Sequence, residues 1–416
     1  MLRAGHVIAL CALGLLTVGV VMVNSAGMRV APAGTGEALK AVSPHAIIFS
    51  RSTAYMGIAL AALAFSALLP IRAWADALVG WRGPNSEPAS LTPVYIASGV
   101  FVVLLALVYA PVIGREVNGS HRWLVLPIPG LGSDASGGGV SVQPSEIVKW
   151  GLIVLMAWYA AARASVLTSF WKGLIPALIA VGAVSGAIVI EDLGTGALVA
   201  LVACLVLLAG GARFWHFLLF VPAGIALVVV AIVKSPYRVQ RILAFLDPYA
   251  DAEKSGYHMI QSMVAIHGDG SGMGRGLGFG LQKFGYLPED QTDFLFAVLC
   301  EELGLAGAAI VVALFIAMLW AGLSIVRRET SVFLKLIAFG IVATVGLQAL
   351  INLVVVTGLG PTKGIALPLV SSGGTGWILT CFCLGILVAI DRAQHQHDTA
   401  HSLSHPSDRL ADASTT

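Results

Sequence analysis

Charge is scarce in this sequence: only 11% of its 416 residues are Asp, Glu, Lys or Arg, against about one in four in soluble proteins. That scarcity excludes a soluble globular chain. Cysteine is sparse as well. Cys11, Cys204, Cys300, Cys381 and Cys383 all fall within apolar runs and none has metal-ligand spacing, so neither a disulfide framework nor a zinc site is expected. An excess of one sign of charge is missing too, since 24 basic and 22 acidic residues leave a formal net charge of +2. That balance gives no ground for a nucleic-acid partner. Glycine occupies every second position from Gly268 to Gly280, but no GxGxxG register in a strand–helix context is present, which excludes a dinucleotide fingerprint. Two readings of that run stay open: a loop in which backbones pack closely or bend sharply, or a surface of backbone N–H groups facing phosphate oxygens.

What is abundant is apolar length. Hydrophobic residues make up 57% of the chain, and the mean hydropathy is +0.89. Runs of about 20 apolar residues can cross a hydrocarbon layer about 30 Å thick. Such runs predict helices near 6–24, 54–70, 93–113, 145–163, 174–190, 193–211, 214–233, 293–326, 332–356 and 375–391. The expected fold class is an all-α polytopic integral membrane protein of about ten transmembrane helices, with a large extracytoplasmic loop, 234–292, between helices 7 and 8. Residues 1–391 form one membrane domain. The Ser/Asp/His-rich stretch 392–416 reads as a disordered cytoplasmic tail whose histidines are solvated rather than metal-bound. The first run reads as a retained span rather than a signal peptide, because matching helices follow it. Lys and Arg in the short loops, among them Arg72, Arg82, Arg163, Lys172, Arg213, Arg327 and Arg328, place both termini in the cytoplasm by the positive-inside rule.

A charged side chain at the bilayer centre costs roughly 2.5–3.5 kcal/mol on insertion scales, so each one beside a span asks for a partner or a cavity. Glu146 stands three residues before Lys149 at the start of a span, a spacing that fits an intrahelical ion pair or a polar site. Asp192 lies in a short acidic hinge between two apolar runs, where it could cap a helix. Asp293 stands where a charged loop meets a long helix; it could be an N-cap, or a base at the membrane mouth. From Gly358 to Gly374 prolines and glycines break any helix, and broken backbone at membrane depth must be buried in protein or line a cavity. That segment carries Lys363, which could hold a diphosphate or snorkel to the interface.

Several ordered segments carry a resemblance: Asn118-Gly119-Ser120-His121-Arg122-Trp123, QPSEIVK at 143–149, DLGTG at 192–196, Tyr237-Arg238 with Arg241-Ile242, GYHMIQS at 256–262, LPEDQTDFLFAVLCEELG at 287–304 and GPTKGIALPLVSSGG at 360–374. Together they resemble the SEDS family (shape, elongation, division and sporulation), on the side of its FtsW-like division branch, with the RodA-like branch as second choice. The Pro-Thr-Lys-Gly run points to the division branch. The resemblance implies a peptidoglycan glycosyltransferase of the bacterial inner (plasma) membrane that polymerises lipid II into glycan strands during division or septal wall synthesis. It implies Asp293 as the catalytic base, with Glu146, Lys149, Asp192, Arg238, Arg241, Gln261, Lys363 and Ser371 as substrate-binding candidates. No protein-bound metal is expected, although a divalent cation (Mg or Mn) could join the cations facing the diphosphate. The partners implied are lipid II and the growing glycan strand, a monofunctional class B penicillin-binding transpeptidase and other division proteins, without nucleic acid. A lipid II flippase and a noncatalytic division scaffold are the alternatives. The chain departs from the family pattern at Ile190-Glu191, where Gln-Pro is usual, at Ser372 (usually Tyr) and Thr375 (usually Ser), and in a Gly-rich extension near 130–141.

Overall fold

The computed structural model describes residues 3–27, 44–80, 87–111, 113–117, 120–126, 140–254, 256–267, 272–282, 284, 287, 291–362 and 364–404. All ten expected segments are helical: α1 (Ala4–Ala26), α2 (Arg51–Ala67), α3 (Thr92–Ala106), α4 (Pro144–Ala162), α5 (Ile175–Glu191), α6 (Leu193–Ala209), α7 (Val221–Val233), α8 (Leu295–Arg328), α9 (Val332–Val356) and α10 (Gly374–Ser404). Eight helices among the described residues are long and apolar enough to cross a membrane. A ninth follows if α2 and the helix Ile71–Val79, bent by 67° to each other, form one span; α6, at 17 residues, is shorter. The chain is a multi-pass membrane protein.

Local chemistry sets the helix starts. Proline sits in the first turn of α3, α4, α5 and α7, where a missing N–H costs nothing. Ser50 caps α2 through the Thr53 N–H, and Asp192 caps α6 through the Thr195 N–H at 3.0 Å. The interior is built where α4, α6 and α9 meet, with α1 packed between α8 and α10 and α2 laid along α10. Tyr159, Met156, Leu152 and Val206 are fully buried there. α7 is the exception, because none of its residues is buried.

Two features differ from the sequence expectation. Residues 114–142 contain a three-stranded antiparallel sheet, β1 (Gly114–Val117), β2 (Ser120–Leu126) and β3 (Val140–Val142), beside the otherwise helical fold. β1 and β2 shift register between Arg115 and Glu116, which leaves Arg122 unmatched at an irregularity of the ladder. α10 also runs on to Ser404, past Arg392, where a disordered tail is expected; Asp391 and Gln394 are buried, and Gln394 Nε2 donates to Ile325 O and to Glu329 Oε2 at 3.1 and 2.9 Å. The start of that stretch is helix because its polar residues have partners on α8. The Gly-rich extension near 130–141 lies mostly outside the described residues.

α8 is broken at Gly304, which takes φ +63°. The glycine-rich loop 272–282 docks into this break. Arg275 N and Gly276 N donate to Glu301 O and Glu302 O, both at 2.9 Å, and Leu305 N donates to Gly272 O at 2.9 Å. Side-chain carboxylates complete the joint: Gly278 N bonds Glu302 Oε2 at 3.0 Å, while Leu281 N and Gln282 N bond the two oxygens of Glu301 at 2.8 and 3.1 Å. Ser25 Oγ from α1 reaches Glu302 at 2.7 Å. Of the two readings of this run, the structure supports close backbone packing; its N–H groups face buried carboxylates.

Candidate functional site

Asp293 lies at the head of α8, half-buried, with Phe294 next to it stacked on the His258 ring at 6.1 Å. His258 belongs to the helix Tyr257–His267, which also carries Gln261 and is tied to the end of α9 by Ser262 Oγ donating to Val356 O at 2.7 Å. Facing Asp293 is the broken segment before α10. A Cβ added to Gly364 would stand 3.0 Å from Asp293 Oδ2, so the backbone runs close beside this carboxylate and a side chain there would press on it.

Residues 361–366 have no regular structure where described, and their carbonyls are held by side chains from other helices. Arg241 donates to Thr362 O at 3.1 Å. Asn352 on α9 splits its amide between Ile365 O and Asp293 O, both at 2.8 Å. Gln348, one turn earlier, donates to Ala366 O at 3.1 Å and accepts from Lys149 Nζ at 3.2 Å. Lys149 is 1% exposed and also donates to both oxygens of Glu146, at 2.9 and 2.7 Å. An ammonium has three hydrogens; with three acceptors around it, Lys149 is saturated. Buried this way it orders its surroundings.

The structure thus brings Asp293, Arg241, Lys149 and Glu146 into one bonded network, with Gln348 and Asn352 as links that the sequence reading missed. Their signal was present: two amides four residues apart within a 25-residue apolar helix share one face. Ser371 joins through the turn 367–371, where its Oγ accepts from Leu367 N at 3.0 Å and its carbonyl accepts from Trp377 Nε1 at 2.7 Å. At 2% exposure it shapes the turn. Arg238 donates to Ala231 O and Val189 O, joining the ends of α7 and α5. Lys363 lies outside the described residues. No group of three His, Cys, Asp or Glu among the described residues could hold a metal ion.

A model of the FtsW/RodA/SpoVE group, described as cell cycle proteins, matches residues 6–396. The chain belongs to this family. A probable peptidoglycan glycosyltransferase FtsW of Nitrosococcus halophilus is 40% identical over 316 residues, 75% of this chain and 78% of that protein. The protein of the same name from Coxiella burnetii is 36% identical over 92% of this chain and 95% of its own. Among solved structures, a chain from a peptidoglycan synthase complex, studied for the coordination of polymerization and crosslinking, matches with a TM-score of 0.68 at 25% identity, covering 94% of this chain and 98% of that one. The RodA of Thermus thermophilus shares the fold with a TM-score of 0.60 at 23% identity over 93% and 96% of the two chains.

Against the pattern of this SEDS family, the departure at Glu191 is absorbed outside the Asp293 network. Its carboxylate accepts from Tyr109 Oη at 2.5 Å and from His121 N at 2.9 Å, while Arg122 donates to its carbonyl at 2.6 Å. Arg122 also stands 3.4 Å from Asp192 Oδ2, so the sheet is anchored on the hinge between α5 and α6. Asp192 therefore caps a helix and pairs with the hairpin; it nears the network through Gly194, packed on the Ile365 side chain. Thr375 keeps a hydroxyl where Ser is usual and donates to Ser141 O on β3 at 2.9 Å.

Proposed function

We propose that this protein is a peptidoglycan glycosyltransferase that polymerises lipid II in the bacterial inner membrane, working in cell division with both termini in the cytoplasm. The observation that carries the reading is the placement of Asp293 at the mouth of α8 against a glycine-opened backbone, within a network that ends on the buried Lys149–Glu146 pair. Membership of a family whose relatives bear the name peptidoglycan glycosyltransferase supports it.

The chemistry follows from the bond to be made. The 4-hydroxyl of one lipid-linked sugar attacks the anomeric carbon of another; the carbon–oxygen bond to undecaprenyl diphosphate breaks, and the hydroxyl proton passes to the Asp293 carboxylate. A direct displacement inverts the anomeric centre. The diphosphate leaves with its electron pair and needs positive charge rather than an acid. Arg241, bonded to the segment facing Asp293, is a cation suited to that task, and Lys363 lies in the same stretch of sequence, while Lys149, saturated by its three acceptors, holds Gln348 in place. The polyprenyl tails stay in hydrocarbon, because withdrawing them costs about 0.8 kcal/mol per CH₂. The bare surface of α7 offers an apolar wall open to lipid.

Family membership and the likeness to a chain of a synthase complex support a partnership with a class B penicillin-binding transpeptidase that cross-links the strands, and with other division proteins. The test is polymerisation of labelled lipid II by the purified full chain with that transpeptidase. Asp293→Ala, folded and monodisperse, should lose about 10²–10⁴-fold in rate, the usual worth of a positioned base. An undiminished rate in the variant removes the reading. Headgroup translocation by the wild type without polymer would mark a flippase instead, and inertness in both assays a scaffold.

A further inference from the structure

The segment facing Asp293 has no structure of its own to hold it. Residues 361–366 form neither helix nor strand where described, yet the Gly364 backbone runs so near Asp293 that a Cβ added there would stand 3.0 Å from Oδ2. Their relative position is set from outside, by donors to three carbonyls: Arg241 to Thr362, Asn352 to Ile365 and Gln348 to Ala366. Two of the three donors come from one face of α9. Asn352 is the tighter of the two, since its single amide nitrogen bonds the carbonyls of Asp293 and Ile365 at the same distance, 2.8 Å. It is 2% exposed, and no water can easily replace it. Gln348 carries the restraint on to Lys149 and so to Glu146.

We infer that Gln348 and Asn352 are positioning residues of the transferase: they gauge the gap between Asp293 and the backbone 362–366 and couple it to the Lys149–Glu146 pair. This rests on the glycosyltransferase reading above. Neither amide is assigned contact with substrate; each acts through a carbonyl or an ammonium. The expected consequence is specific, because a misplacement of about 1 Å between reacting groups costs on the order of 10²-fold in rate. Substrate held mainly by its tail and sugars should still bind.

The experiment uses the purified full chain with its transpeptidase partner, and measures kcat and KM for lipid II polymerisation per folded molecule. Asn352→Leu keeps the branched shape of the side chain and removes both bonds; kcat should fall on the order of 10²-fold with KM changed less than about threefold. Gln348→Met, at a half-buried position, serves where Asn352→Leu does not fold; its kcat should fall about tenfold with KM held. Joined to Asp293→Asn, either change should add little further loss, because residues acting as a unit are not additive. A purely structural role predicts less folded protein but a normal kcat per folded molecule. That result, beside an inactive Asp293→Asn, overturns the inference and leaves the proposed function standing. An Asp293→Asn enzyme as fast as wild type brings down both.

Discussion

Two glycine-rich segments of this molecule direct their backbone hydrogen bonds in opposite ways. In the loop 272–282 the N–H groups of Gly278, Leu281 and Gln282 point at the Glu301 and Glu302 carboxylates, so a phosphate arriving there would meet two like charges. The segment 358–374 has the opposite arrangement: its carbonyls are held by side chains, and the backbone at Gly364 meets Asp293. Glycine in the first permits a tight joint between elements. In the second it opens room for a carboxylate. Composition does not tell the two apart; the direction in which the backbone's hydrogen bonds run does.

Substitutions at three sites besides those already described test the contrast between the two segments. The largest effect is expected at Glu146→Ala, which leaves the Lys149 ammonium buried without its carboxylate and should cost about 3–5 kcal/mol of stability. Thermal melting of the detergent-solubilised protein measures it, and the double change Glu146→Leu with Lys149→Met should recover most of the loss, though not the activity. Next is Gly304→Ala. It forces an L side chain to φ +63° beside the Gly272 carbonyl and Gly274 nitrogen, at about 1–3 kcal/mol for the backbone alone. Melting should drop and the loop 272–282 become open to proteases, while the turnover of the folded fraction stays near wild type. A lost turnover with unchanged melting would show that the loop handles substrate, and the contrast between the two segments would collapse. The smallest is Ser25→Ala, which removes a hydroxyl from the Glu302 carboxylate; about 1.5 kcal/mol is expected, again without effect on turnover per folded molecule.

Legibility from the sequence followed the range of the forces involved. The helices were legible because lipid demands a fixed apolar length, and every expected segment is helical. Glu146 and Lys149 were legible as a pair because they are three residues apart on one helix. The links of Asn352 to Asp293, 59 residues away, and of Lys149 to Gln348, 199 away, depend on how whole helices are placed, which no local pattern encodes. The sheet at 114–142 was hidden by its short strands and by the long insertion between β2 and β3. The docking of the glycine run on α8 was hidden for the same reason as the amide links, and an acidic pair inside an apolar helix was its one visible trace.

The joint at Gly304 also bears on how the chain is assembled during synthesis. Ser25 leaves the ribosome long before Glu302, and the 272–282 loop precedes its carboxylates as well. Until α8 is inserted and comes to rest against α1, the amides of that loop lack the carboxylates they meet in the finished fold. Biogenesis therefore passes through a stage at which this segment is complete in sequence and still lacks its seat. Insertion of α8 supplies it.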